Sequence, residues 1–145
     1  MLRRSLPLGI LLLCLALAWG MLAAFRQQEE TARIQEFREA YPDLTSLPDF
    51  EYITRQADGS FLLQTPGEPA QSAFLPQSIA DMLAGRELLG LRKCGDDLFF
   101  ITSGAADDAL GYVISGDAQV DMDGLWQLDR VDGQVYRFST WKQTH

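Results

Sequence analysis

One segment limits what this chain can fold into, because it is apolar and carries no charged residue. It begins at Leu6 and ends at Phe25, a length of 20 residues. As an α-helix these residues rise about 1.5 Å each and reach roughly 30 Å, the thickness of the hydrocarbon core of a bilayer. A cleavable signal peptide usually has an apolar core of only about 7–15 residues. The segment therefore predicts a transmembrane helix that contacts the lipid bilayer through residues 6–25.

Removal of this segment as a signal peptide is the alternative, and it would release a secreted protein. Two patterns of small residues that suit signal peptidase are present, at residues 16–18 and 18–20. The residues after Gly20 form helices well, whereas cleavage sites prefer an extended chain, so the sequence favours retention. A further alternative is a buried helix of a soluble protein.

The charges on either side of the segment predict its orientation. Arg3 and Arg4 precede it, whereas the flank that follows mixes Arg26 with Glu29 and Glu30. Positively charged flanks stay in the cytoplasm. We therefore expect the N-terminus in the cytoplasm and the C-terminal part of the chain outside it.

The remainder of the chain is strongly acidic. Of the 12 basic residues, Arg3 and Arg4 precede the apolar segment, so residues 26–145 hold 10 basic and all 20 acidic residues, a net charge of −10. Such a surface repels the phosphates of nucleic acids and anionic lipid headgroups. We expect no nucleic-acid partner, and no nucleotide either, because neither a P-loop nor a G-x-G-x-x-G motif follows a predicted strand.

A second helix is expected directly after the membrane segment. Over residues 26–41, Ile34, Phe37 and Tyr41 form a narrow apolar stripe at helical spacing, and Pro42 is expected to end the helix. We interpret this juxtamembrane helix as a stalk, and a coiled-coil dimerisation stem is the alternative. The chain then divides into a membrane anchor or uncleaved signal at 1–25, a helical stalk at 26–47, and an extracytoplasmic domain at 48–145.

The domain is predicted to be α+β, with about seven strands in a mainly antiparallel sheet and one short packed helix. The helix is expected at 78–84, with Ser78 as N-cap and Gly85 at its C-terminus. Residues 66–76 contain three prolines and are expected to form a surface loop. After Leu88 the apolar residues recur with a period of two, which is typical of strands. These later strands are expected at 88–94, 97–103, 110–115, 125–131 and 134–141.

The first hairpin is predicted from the turn at 56–59. A four-residue turn would place Thr54 opposite Phe61 and Tyr52 opposite Leu63. Its last residue is a glycine, which supplies the positive φ that such a turn needs.

The last hairpin is predicted to turn at 131–133. A three-residue turn with its glycine in the left-handed region would set Leu128 opposite Tyr136 and Trp126 opposite Phe138. This register gathers the aromatic side chains on one face.

No metal site is expected. Asp121, Asp123 and Gly124 match three positions of a calcium-binding loop, but Gln119 and Arg130 occupy positions where carboxylates are required. We interpret these aspartates as turn formers, with weak calcium binding as the alternative.

The two cysteines form no expected disulfide. Cys14 lies in the apolar segment and Cys94 in the domain, so lipid would keep them apart. We expect Cys94 to be a small buried side chain.

No catalytic residue and no cofactor are predicted. Ser139 and Lys142 have the S-x-x-K spacing, but on a strand residues three apart point to opposite faces. The only histidine is His145, the last residue, where nothing orients it as a general base.

A candidate interaction surface comes from the aromatic residues near the C-terminus. Trp126, Tyr136 and Phe138 share one predicted face, which is expected to be mostly core, whereas Trp141 has the opposite parity and is the most exposed of the four. Trp141, with Trp126 and Tyr136, is therefore the predicted surface.

The sequence predicts a single-pass membrane protein that displays a small acidic binding or assembly domain outside the cytoplasm, with another envelope protein as its partner. A secreted or tethered hydrolase of cell-wall polysaccharides is the alternative. It needs two converging carboxylates, and Glu51, Glu68 and Glu87 are isolated in the sequence. A sugar-binding module is a further alternative and would require exposed, coplanar Trp and Tyr rings.

Overall fold

The protein has an α+β fold, which confirms the predicted class. The computed structural model describes residues 6–104, 108–117, 120, 125 and 127–140. The helices are α1 (Leu6–Thr45) and α2 (Gln77–Ala84), and the strands are β1 (Tyr52–Arg55), β2 (Phe61–Gln64), β3 (Gln71–Ala73), β4 (Gly90–Cys94), β5 (Asp97–Ser103), β6 (Leu110–Ser115), β7 (Gln127–Asp132) and β8 (Val135–Ser139). By its internal contacts the chain divides into two units, Met1–Gln35 and Glu36–His145.

The strands form two antiparallel sheets, where one sheet was expected. One has the order β1-β2-β3 and the other β4-β5-β6-β8-β7. The strand beyond the predicted seven is β3, which lies in the proline-containing segment that we expected to be a loop. It is an edge strand of three residues, the position where neighbouring prolines cost fewest ladder hydrogen bonds.

The described part of the first unit, residues 6–35, is helical, and the side chains of residues 7–25 are exposed. An 18-residue window has a mean hydropathy of 2.4, and none of that window is buried. A helix that is apolar on every side belongs in an apolar solvent or in the core of a large protein. Its length and composition are those of a membrane-crossing helix, whether it acts as an anchor or as a signal sequence.

The end of α1 differs from the prediction, because Pro42 lies inside the helix. Proline lacks the N–H that would donate to the carbonyl of residue 38, so the helix loses one backbone hydrogen bond there. Leu44 is fully buried, which favours continuing the helix past the proline. The hydroxyls of Thr45 and Ser46 donate to the carbonyl oxygens of Pro42 and Asp43, at 2.9 Å and 2.7 Å.

Residues 36–45 of α1 pack on one face of the five-stranded sheet, within the second unit. The rings of Phe37 and Phe100 stack with their centroids 4.1 Å apart and 14° between their planes. Along β5, Leu98 and Phe100 point to this face, and Phe99 and Ile101 point to the other. One face of the sheet is therefore closed by a helix.

The β1–β2 hairpin has a register one residue away from the predicted one. Thr54 pairs with Leu62, and Tyr52 pairs with Gln64. The turn holds five residues, because the buried Ser60 belongs to it: its hydroxyl and backbone N–H both donate to Asp58 Oδ1. Tyr52 and Phe61 consequently lie on opposite faces rather than on one.

The β7–β8 hairpin also differs in register, although its residues keep their predicted faces. Leu128 pairs with Phe138 rather than with Tyr136, and a bulge falls between Arg130 and Asp132. Asp132 pairs with Val135, so the turn holds residues 133 and 134 rather than three residues, and the bulge shifts the pairing by one residue, which restores its parity. The glycine of this turn has the expected positive φ, +55°.

Of the two caps predicted for α2, Gly85 at the C-terminus is confirmed and Ser78 at the N-terminus is wrong. The residue before the helix is Pro76, no side chain caps the first turn, and Ser78 lies inside the helix. Gly85 is the C-cap but has φ −79°, and the left-handed residue is Arg86, with φ +59°. The burial of Ile79 and Met82 stabilises this short helix in place of a side-chain cap.

Candidate functional site

The two sheets of the second unit meet at a single β-bridge, Phe50 with Lys93. The N–H of Phe50 donates to the carbonyl of Lys93 at 3.1 Å, and the N–H of Lys93 donates to the carbonyl of Phe50 at 2.9 Å. This bridge holds the β1 and β4 edges side by side at one point.

A salt bridge reinforces this junction. Lys93 is only 8% exposed, and its Nζ lies 3.0 Å from Oδ1 of Asp49. The N–H of Gly95 donates to the same oxygen at 3.1 Å. The hydrogen bond from Lys93 is the main reason that the pKa of the Asp49 carboxyl lies below its ordinary value, and the bond from Gly95 lowers it further. Partial burial of the carboxyl opposes this shift.

Next to the bridge lies a cleft of about 330 Å³, which is lined by residues of both edges. Residues 51–53 line one wall and residues 89–92 the other. Tyr52 and Leu89 are each 50% exposed at its rim. This volume lies at the lower end of the roughly 300–1,000 Å³ of ligand pockets, so it suits a few side chains rather than a large ligand.

The floor of the cleft is the face of the five-stranded sheet opposite α1. Phe99 and Phe138 meet edge to face, with ring centroids 5.2 Å apart, and Ile101 lies beside them. Gly90 adds no side chain: a Cβ there would lie 3.6 Å from Cδ1 of Ile101, an ordinary contact. The absence of that side chain leaves this part of the floor open.

One charge of each sign flanks the floor. Glu51 and Arg92 both line the cleft, both are exposed, and neither is in a salt bridge with another described residue. The guanidinium of Arg92 lies over the Phe99 ring, 5.7 Å from its centroid. The rings of Phe99 and Phe138 are themselves buried, so what the cleft exposes beside them is one carboxylate and one guanidinium.

The predicted interaction surface is only partly within the described residues. Tyr136 is half-buried and packs against a core cluster that includes Phe99, Val113 and Phe138. Trp126 and Trp141 lie outside the described residues, so their exposure stays a prediction.

The other residues considered for chemistry are placed as follows. Ser139 lies on β8 and is half-buried. Cys94 is exposed and free, so its predicted burial was wrong; it ends the edge strand β4, where its side chain has no core to enter. Lys142 and His145, and the calcium-like residues Gln119, Asp121, Asp123 and Gly124, lie outside the described residues. Within the described part of the chain, no group of three or more His, Cys, Asp or Glu side chains could hold a metal ion.

Sequence reasoning missed the cleft, because its walls are far apart in the chain. Residues 51–53 and 89–92 come together only through the pairing of Phe50 with Lys93. The signal in the sequence was the alternation that puts Arg92 on the same face as Phe99, but nothing local shows which edge lies beside it.

Comparison with known proteins found no relative. No family model matches the chain, and neither the curated proteins nor the solved structures contain a match.

Proposed function

We propose that this chain is a single-pass membrane protein whose small acidic domain, displayed outside the cytoplasm, binds another protein of the cell envelope. The observation that carries the proposal is the uncharged helix of residues 6–25, in which the side chains of residues 7–25 are exposed. A soluble monomer rarely exposes so large an apolar surface, and a bilayer would cover it.

Retention of the helix supports a role in binding. Tethering holds the domain at one membrane surface and raises its local concentration toward partners in that membrane or beside it. The N-terminal arginines support an orientation that keeps the N-terminus in the cytoplasm. In the alternative, the segment is a signal sequence and the domain is secreted.

The cleft supports binding over hydrolysis. A glycosidase needs two carboxylates about 5–10 Å apart. The described lining of the cleft contributes one carboxylate, Glu51, opposite the cation Arg92. A wall hydrolase stays the alternative function, and a sugar-binding module would use the rings of Trp126 and Trp141 together with Tyr136.

The two native cysteines provide a direct test of the proposed topology. Cys94 is exposed in the domain, and Cys14 lies in the apolar helix. A membrane-impermeant maleimide added to unlysed cells with a permeabilised outer layer is expected to label Cys94, and Cys94→Ser is expected to abolish the label. Labelling of Cys94 only after lysis of the inner membrane would contradict the proposal.

Partner binding is tested by formaldehyde cross-linking of the full-length protein in its native membrane. We expect the chain to recover the same envelope protein in repeated experiments, and the Leu15→Arg variant, in which the anchor is disrupted, to lose it. Recovery of the chain alone would contradict a binding role.

A further inference from the structure

We propose that the cleft binds a small zwitterion of amino-acid size, with its ammonium group beside Glu51 and its carboxylate beside Arg92. This ligand site goes beyond the proposed binding of an envelope protein and does not depend on it. The evidence is the position of the two charged side chains, their lack of ionic partners among the described residues, and the size of the cleft.

Glu51 and Arg92 lie opposite each other on the two walls of the cleft. Phe50 pairs with Lys93 in an antiparallel bridge. The next residue of the first edge, Glu51, therefore falls opposite the preceding residue of the second edge, Arg92. Opposite residues of two antiparallel edges direct their side chains to the same face. Arg92 also pairs with Phe99, which lines the cleft, so this shared face is the one that the cleft exposes.

Both charges lack an ionic partner within the described part of the chain. Glu51 and Arg92 form no salt bridge with each other or with another described residue. The guanidinium of Arg92 instead lies over the Phe99 ring, 5.7 Å from its centroid. The neighbouring charges of Asp49 and Lys93 do not compensate either group, because they pair with each other at 3.0 Å. The cleft therefore presents an anionic group on one wall and a cationic group on the other.

This arrangement selects a ligand that carries both signs of charge. The rings of Phe99 and Phe138 are buried, so apolar contact adds little and the charged groups decide binding. The net charge of −10 over residues 26–145 repels a simple anion, and Arg92 repels a simple cation within the cleft. A zwitterion has no net charge and can bind both groups at once. The volume of about 330 Å³ limits it to a small molecule.

The test measures the binding of amino acids by saturation-transfer-difference NMR, with the full-length protein in micelles of deuterated detergent. The series consists of glycine, β-alanine, γ-aminobutyrate and ε-aminocaproate, in which the two charged groups lie progressively further apart. We expect at least one member to bind with a Kd of about 1 mM, because exposed ion pairs are individually weak. Butylamine and butyrate each carry one charge and are expected to bind at least about tenfold more weakly than that member.

Matched variants locate the site. Glu51→Gln and Arg92→Gln each remove one charge from the cleft and are expected to weaken binding at least about tenfold. Glu68→Gln and Arg55→Gln remove the same charges at exposed positions that do not line the cleft, and they are expected to change binding less than about twofold. Unchanged thermal unfolding of the two cleft variants separates loss of ligand contacts from misfolding.

Three results would each overturn the inference: no member of the series binds at concentrations up to about 10 mM, a single-charge analogue binds as tightly as the best zwitterion, or either cleft variant binds like wild type. The proposed function is tested separately. If cross-linking recovers an envelope partner equally well with wild type, Glu51→Gln and Arg92→Gln, that function stands whether or not the cleft binds a zwitterion.

Discussion

Side chains of the same kind are exposed in the first unit of the chain and buried in the second. Phe25 and Leu15 in the first unit are 59% and 50% exposed, whereas Phe100 and Leu98 in the second unit are fully buried. The sequence shows the difference before any fold is known. Apolar residues fill every side of the segment 6–25, but they alternate with polar residues along the strands of the domain.

This contrast indicates that the two units are matched to different solvents. In the domain, an apolar side chain is removed from water by its neighbours, at roughly 25 cal/mol per Å² of apolar surface. For residues 7–25 of α1 no described neighbour does so, and lipid would take that place. Substitutions at matched positions of the two units test this difference in environment.

The largest effect is expected from a cavity in the domain. Phe100→Ala removes the ring that stacks on Phe37 and is expected to lower the free energy of unfolding by about 3–5 kcal/mol. Chemical denaturation of the full-length protein in detergent, followed by near-ultraviolet circular dichroism, measures this loss. The control Phe25→Ala is expected to change the stability of the domain by less than about 0.5 kcal/mol. Equal losses in the two variants would remove the distinction between the units.

A charge in the first helix is expected to affect membrane insertion and to leave the domain unchanged. Leu15→Arg adds about 2.5–3.5 kcal/mol to the free energy of inserting the helix. Carbonate extraction of membranes is expected to release much of this variant but little of the Leu15→Phe control. Release of both proteins to the same extent as wild type would show that the helix does not cross the bilayer.

Two glycines of the five-stranded sheet differ in the space that a side chain would have at each position. A Cβ on Gly111 would clash with the carbonyl oxygen of Phe100, whereas one on Gly90 would make an ordinary contact, 3.6 Å from Ile101. Gly111→Ala is therefore expected to destabilise the domain by about 1–3 kcal/mol, and Gly90→Ala by about zero. Thermal unfolding of both variants in the same detergent checks the difference. A Gly90→Ala variant as unstable as Gly111→Ala would mean that the floor of the cleft is closed.

The smallest effect concerns the salt bridge at the junction of the sheets. The Asp49 carboxyl has a lower pKa in the folded domain than in the unfolded chain, because Lys93 and Gly95 donate hydrogen bonds to it. Its contribution is therefore fully present above the ordinary carboxyl pKa of about 4 and is lost as the pH falls through the folded pKa.

Asp49→Asn is expected to cost roughly 1 kcal/mol at neutral pH, because the partly exposed pair is weakened by solvent. The same variant is expected to flatten the decline in stability below about pH 4. Denaturation midpoints between pH 2 and 7 measure both effects, with Glu68→Gln as the control. An unaltered pH profile in Asp49→Asn would show that this carboxylate does not stabilise the junction.

Several elements of the fold could be predicted because their signals are local. The strands after Leu88 lie within two residues of their predicted ends, since alternation and Gly-Asp turns occur within a few residues of each other. The two hairpin registers could not be predicted, because each depends on one residue. Ser60 lengthens one turn through its bonds to Asp58, and Val131 forms the bulge in the other.

The cleft could not be predicted from the sequence, for a different reason. Its two walls meet through one bridge, Phe50 with Lys93, between residues more than forty positions apart. Neither periodicity nor turn chemistry specifies such a pair, because the pairing is decided by how the two sheets pack. The burial of Lys93 could not be predicted either, because a lysine on a strand is ordinarily exposed.

The most direct test of the account is the state of the first helix in the native membrane. Protein isolated from native membranes is analysed by carbonate extraction and N-terminal sequencing. We predict that the chain retains residues 1–25 and is released from the membrane only by detergent. A chain that begins after Gly20, or an intact chain that stays soluble and monomeric without detergent, would contradict the account.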